Sequence, residues 1–137
     1  NRDGRKIEVS SDEEFILGKM DARLIVQVVI NLVDNAVKYT PEGAQIRIHT
    51  GKKDGMVVVS VSDTGPGIPD EQKSKVFDMF YTETNRAADG RRSLGLGLGL
   101  CRSIIRAHGG EIWVSDNKPQ GAVFTFTLPA EEVTLHE

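Results

Sequence analysis

The chain has 137 residues, a formal net charge of -3, 39% hydrophobic and 27% charged residues, values of one globular domain with the length for a real core. The negative charge and the lack of any Lys/Arg cluster exclude a nucleic-acid footprint, and no apolar run approaches the roughly 20 residues of a membrane-spanning helix. A lone cysteine, Cys101, excludes an internal disulfide and fits a reducing compartment.

The polar opening "NRDGRK" shows no signal peptide. With the polar tail "AEEVTLHE" it reads as one end of a piece cut from a larger protein. Short strands are predicted at 6–10 and 13–20, with a turn at Ser11-Asp12. Asp21 is placed to cap a helix over 22–40, whose apolar stripe is Leu24, Val28, Leu32 and Ala36. Pro41-Glu42-Gly43 ends that helix. Residues 44–50 alternate as a strand with Ile46 and Ile48 inward. A second strand, 55–62, follows the turn-forming Lys53-Asp54-Gly55. A glycine-proline loop at 63–69 leads into a short helix over 70–80. Residues 81–93 have no apolar period and are longer than most connections, which favours a lid. Then come a glycine run, a helix to Ala107, and strands at 111–116 and 121–129, the last with Phe124, Phe126 and Leu128 on one face. About six strands and three helices predict an α/β (α+β) two-layer sandwich, a mixed sheet with its helices on one side.

Three clusters carry candidate chemistry. Asn31, Asn35 and Lys38 share one face of the long helix, away from its apolar stripe. Asparagines are poor mid-helix residues, because their amides compete for backbone hydrogen bonds. The face reads either as a solvated stripe or as an oxygen ligand for a hard cation beside an ammonium for phosphate. Asp63 ends an apolar strand and opens "DTGPGIP". It is either a turn residue or a carboxylate placed to accept an exocyclic amine such as that of adenine. The run "SLGLGLGL", 93–100, puts three glycines at the mouth of a helix, where each costs about 0.5–1 kcal/mol relative to alanine. It is either a flexible loop or a set of backbone N–H groups aimed at an anion.

The blocks "NLVDNAVKYT", "DTGPGIP", "VFDMFY", "GLGLGL" and "AHGGEIWV" resemble, in order and spacing, the ATP-binding catalytic domain of bacterial sensor histidine kinases. That domain has the Bergerat fold, shared with DNA gyrase, Hsp90 and MutL. The resemblance covers about residues 5–129, and "GLCRSIIRAHGG" with "GAVFTFTLP" also resembles potassium-responsive sensor kinases of the Kdp type. By position it implies ATP and Mg2+ as cofactors, with Asn35 as the metal ligand. Asn31 and Lys38 would lie near the phosphates, as the other catalytic residues, and Tyr39 beside the nucleotide. Asp63 would receive the adenine amine in a pocket shaped by Gly65, Gly67 and Ile68. Phe77 and Phe80 would anchor the lid, and Leu94, Gly95, Leu96, Gly97 and Leu98 would form the phosphate-binding glycine box.

There are departures. Ser93 stands where the family usually has glycine, Gly99 where it has alanine or serine, and Thr82 where it has an arginine, which leaves that role to Arg86, Arg91 or Arg92. Asn31 also stands where gyrase-like ATPases and anti-sigma serine kinases have a glutamate. An amide cannot act as a general base, so the resemblance implies transfer to a histidine rather than hydrolysis. The implied acceptor is a histidine on the dimerisation domain of the parent protein, absent from residues 1–137, with a response regulator downstream. No nucleic-acid or membrane contact is implied for this piece, a cytoplasmic domain of a parent anchored in the bacterial inner membrane. The alternatives are a degenerate nucleotide-binding regulatory module and a gyrase-type ATPase. Cys101 and Trp113 read as packing residues, His49 as a solvated strand residue, and His108 as a helix-end cap.

Overall fold

The computed structural model describes residues 6–11, 22–78 and 94–130. Five strands, β1 (Lys6–Ser11), β2 (Gln45–Lys53), β3 (Met56–Asp63), β4 (Ile112–Asp116) and β5 (Ala122–Pro129), make one mixed sheet in the order β1-β2-β3-β5-β4. Three helices, α1 (Ala22–Tyr39), α2 (Asp70–Lys73) and α3 (Leu94–Ala107), complete the described elements. This is the predicted two-layer sandwich. Among the described residues no helix is long and apolar enough to cross a membrane.

The strand pairing follows local chemistry where turns are short. Asp54 (φ 53) and Gly55 (φ 79) form a two-residue turn, and Lys53 pairs with Met56 across it. Two successive positive φ values are the turn geometry that matches strand twist. The hairpin makes β2 longer than predicted, running to Lys53 instead of Thr50. The strand predicted at 13–20, and the turn leading into it, lie outside the described residues. β1 runs parallel to β2, from Lys6 opposite Gln45 to Ser11 opposite Thr50. Parallel neighbours need a crossover, and α1 supplies it.

The core forms between the sheet and α1 and α3. Val57, Val59 and Val61 alternate inward on β3, and Phe124, Phe126 and Leu128 on β5. Val28, Leu32, Cys101, Ile105, Phe126 and Leu128 are completely or almost completely buried. Truncating Phe126 to alanine would cost about 3–5 kcal/mol. On α1 the buried stripe is Ile25, Val28, Leu32 and Ala36; Leu24, placed in it by sequence, is 41% exposed. Both residues lie near the stripe by period, and the helix rolls to bury the β-branched neighbour. The helix cap predicted at Asp21 lies outside the described residues.

Two further elements correct the sequence reading. Of the helix predicted over 70–80, the described residues, 70–78, are α-helical only at Asp70–Lys73. Val76 N–H still reaches Gln72 O at 3.1 Å, but Asp78 N–H bonds Lys75 O, a tighter turn. That turn buries the consecutive Val76 and Phe77, whose ring meets Phe124 edge-on at 5.9 Å. The glycine run is not a loop before a helix: α3 starts at Leu94 and contains Gly95, Gly97 and Gly99. Burial of Leu98, Cys101 and Ile105 outweighs the poor helix propensity of glycine. α3 ends in a glycine motif, with Gly110 N–H on Ile105 O (2.9 Å) and Gly109 N–H on Arg106 O (3.0 Å). His108 Nδ1 sits 2.7 Å from Ile104 O, as a cap should. Trp113 is 44% exposed on the face of the sheet away from the helices, so its packing is only partial.

Candidate functional site

Asp63 is the last residue of β3, where alternation points its side chain inward, and it is buried. Its Oδ1 accepts N–H bonds from Gly65 (2.9 Å) and Ala122 (3.3 Å). Burial pushes the carboxyl above the ordinary aspartate range, opposed by those two N–H bonds. The loop after it is pinned to β2: Thr64 N–H donates to Gln45 O at 3.1 Å, and Gln45 N–H donates to Thr64 Oγ1 at 2.9 Å. Gly121 packs so closely that a Cβ there would overlap the Asp63 carbonyl, and its φ of +115 suits glycine alone. A Cβ on Gly65 would come within 2.6 Å of the Thr40 methyl. The C-terminal end of α1 therefore lies against the Asp63 loop.

The middle of α1 meets α3. Asn31 Nδ2 lies 3.7 Å from Cys101 Sγ, and Asn31 Oδ1 accepts from Gln27 Nε2 at 2.9 Å. Burial raises the Cys101 thiol to about 11, which keeps it an inert packing group. Asn35 lies one turn further along, and its Oδ1 is buried with no hydrogen-bond partner. Lys38 ion-pairs with Asp34 at 3.1 Å with 39% of its side chain exposed. An unpaired amide oxygen is a hard donor of the kind Mg2+ takes, so Asn35 fits the metal-ligand role.

At the start of α3 the N–H groups of Leu94, Gly95 and Leu96 have no carbonyl four residues earlier within the helix. The Leu98 side chain is 1% exposed in the core, and its N–H has Leu94 four residues before it inside α3. The structure thus brings Asp63, Gly65 and the Thr40 end of α1 together, and Asn31 together with α3. Gly67 (φ +81) packs near the carbonyl of Gly121, and Ile68 packs against the core. Phe80, Thr82, Arg86, Arg91, Arg92 and Ser93 lie outside the described residues. Sequence reasoning missed Asn117 and Gln120, whose partners are distant backbone carbonyls invisible to local patterns, and Lys73 and Gln27, whose partners include the nearby Asp70 and Asn31.

The family model for histidine kinase-, DNA gyrase B-, and HSP90-like ATPases matches residues 20–132. The chain belongs to this family. It is 44% identical over 126 residues to the sensor protein KdpD of Clostridium acetobutylicum, across 92% of this chain and 14% of KdpD. It is also 44% identical over 128 residues to the adaptive-response sensory kinase SasA of Gloeothece citriformis, across 90% of this chain and 31% of SasA. The chain therefore spans less than a third of either relative, and equal identity to both singles out no Kdp-type subfamily. Among solved structures, the nucleotide-free catalytic domain of histidine kinase ThkA superposes with a TM-score of 0.80 at 37% identity, covering 93% of this chain and 81% of that one. ThkA in complex with the response regulator protein TrrA gives 0.78 at 37%, covering 95% and 35%. Full-length ShkA in complex with AMPPNP gives 0.82 at 28%, covering 97% and 27%. This ATPase family member is an ATP-binding catalytic domain of the histidine kinase type.

Proposed function

We propose that residues 1–137 act as one catalytic domain that binds Mg-ATP between Asp63 and the start of α3. It donates the γ-phosphoryl group to a histidine on the dimerisation domain of its parent protein, on the cytoplasmic side of a bacterial inner membrane. A response regulator is the next acceptor, as the ThkA–TrrA complex suggests by analogy. One observation carries the metal-nucleotide reading. Among the described residues, Asn35 Oδ1 is a buried side-chain acceptor left without a partner, which a bound cation would satisfy.

In this reading Asp63 accepts the adenine amine, with Gly65, Gly67 and Ile68 around the base and Tyr39 beside the nucleotide. Asn35 is the metal ligand. Mg2+, when bound, neutralises phosphate charge and orients the β- and γ-phosphates. Lys38, Arg86 and the N–H groups of Leu94 to Gly97 hold the phosphates, and Phe80 seats the lid. Asn31 offers an amide whose oxygen is already bonded to Gln27. It has no basic group to activate water, so the domain positions the donor rather than hydrolysing it. The acceptor imidazole nitrogen forms the new P–N bond as the β–γ bridging P–O bond breaks and ADP leaves. His108 is spent on the Ile104 carbonyl, and His49 lies within β2, so neither is placed as that acceptor.

The test is labelling from γ-labelled Mg-ATP. The chain alone should bind nucleotide and gain no phosphohistidine. Adding the dimerisation domain should give acid-labile, base-stable label, weakly, because separate chains lack the millimolar effective concentration of a tether. Rapid ATP turnover by the chain alone would indicate a gyrase-type ATPase. Binding without transfer in the tethered parent would indicate a degenerate regulatory module.

A further inference from the structure

The loop joining β4 to β5, residues 117–121, grips the Asp63 loop through long-range donors. Asn117 Nδ2 donates to the Asp63 carbonyl at 2.7 Å. Gln120 Nε2 donates to the Thr64 carbonyl at 3.0 Å and to the Gly65 carbonyl at 3.2 Å. Ala122, directly after the loop, gives its N–H to Asp63 Oδ1. At the loop's other stem, Asp116 takes the Lys73 ammonium at 2.9 Å, and that ammonium also holds Asp70 and the Ile68 carbonyl. The carbonyls of residues 63, 64, 65 and 68 therefore each receive a side-chain donor. Backbone carbonyls must find partners somewhere. Here the partners fix the peptide planes that directly follow the residue carrying the carboxylate.

We infer that Asn117 and Gln120 are positioning residues for base recognition. By holding the backbone at 63–65 they aim the Asp63 carboxylate, so the β4–β5 loop controls selection of a 6-amino purine without touching it. This rests on the reading of Asp63 as the adenine acceptor. A loop that merely supported the fold would weaken all nucleotides alike; an aiming loop weakens only those that carry the amine.

The experiment titrates the full chain with ATP and with purine riboside triphosphate, which lacks the 6-amino group, while recording thermal unfolding. The variants are Asn117→Asp, which keeps the shape but removes the donor, and Gln120→Ala at an exposed position, which keeps the fold even should the first variant not. The wild type should prefer ATP by about tenfold, the size expected for a hydrogen bond to a charged group. In the folded variants that preference should shrink to about threefold or less by loss of ATP affinity, with binding of the analogue unchanged. Parallel loss for both nucleotides, or an intact preference in the folded variants, overturns the inference. A wild type with no preference overturns the adenine reading itself and the inference with it, before any variant is compared.

Discussion

The two ends of the proposed nucleotide site are built on opposite plans. At the adenine end, Asp63 Oδ1, the loop carbonyls and the Thr64 hydroxyl all have partners in the free protein, and glycines are packed against backbone. At the phosphate end, Asn35 Oδ1 is buried without a partner, and a Cβ added at Gly97 would meet nothing within 4 Å. One helix, α1, serves both: Thr40 touches the Asp63 loop and Asn31 touches α3. The base pocket is thus finished by folding itself. The phosphate end keeps its binding capacity unspent, and an orphaned acceptor of this kind costs the free protein about 1–3 kcal/mol. Substitutions that break the close packing at the first end should damage a finished structure, and those at the second should damage binding without damaging the fold.

The sharpest way to break that contrast is Gly121→Ala. The residue has φ +115, and its Cβ would overlap the Asp63 carbonyl. Backbone strain of this kind costs on the order of 1–3 kcal/mol, and the overlap adds to it. We expect a loss of about 3 kcal/mol or more in urea unfolding and no measurable ATP binding by calorimetry. Wild-type stability and affinity in this variant would mean that the joint between the two loops is slack.

Asp63→Asn separates binding from folding at the same end. ATP affinity should fall about tenfold or more, since a hydrogen bond to a charged group contributes roughly 1.5–3 kcal/mol. Stability should move the other way. Burial raises the Asp63 pKa, so the folded protein holds that proton more tightly than the unfolded chain. The carboxyl then loses stability as pH rises from the ordinary aspartate value through the raised one. Asparagine removes that slope, and the nucleotide-free variant should be at least as stable at neutral pH, with its advantage vanishing towards pH 4. A variant that unfolds more easily at neutral pH but binds ATP normally would make Asp63 a turn residue.

What the sequence disclosed follows the same division. The Asp54-Gly55 hairpin, the β5 face of Phe124, Phe126 and Leu128, and the Gly109-Gly110 helix end were legible, because each depends on neighbours a few residues apart. Asp63 was legible from its place at a strand end. The parallel partner of β1 was not, since it lies across the whole of α1. The true start of α3 was hidden because glycines argue against helix locally, while Leu98 and Cys101 decide it through tertiary burial. Asn117 and Gln120 were illegible for a different reason. Their partners are main-chain carbonyls 54 to 56 residues away, and a carbonyl leaves no mark in a sequence.

Asn35→Ala probes the unspent end. Removing a buried acceptor that has no partner costs no hydrogen bond and relieves its desolvation, so stability should hold or rise, by at most about 1–3 kcal/mol. The Mg2+-dependent part of ATP affinity should be lost, and binding in EDTA should persist. Paired titrations with and without Mg2+ would show this. Equal losses in both would reduce Asn35 to a helix-packing residue.

The smallest expected effect is at Gly97, and its sign is the informative part. The residue lies inside α3 with no neighbour within 4 Å of an added Cβ and no positive φ. Folding therefore gives no reason for glycine there, and Gly97→Ala should raise stability by about 0.5–1 kcal/mol through helix propensity. A methyl group on the opening turn of α3 would nevertheless stand where the proposed function brings phosphate oxygens to the backbone. The same variant should consequently bind ATP more weakly than wild type, while adenosine, which has no phosphates, binds equally to both. Thermal unfolding and the two titrations read these quantities separately. A stabilised protein with undiminished ATP affinity would show that the phosphates do not approach this turn. A destabilised one would show that Gly97 belongs with Gly121, as part of the finished structure.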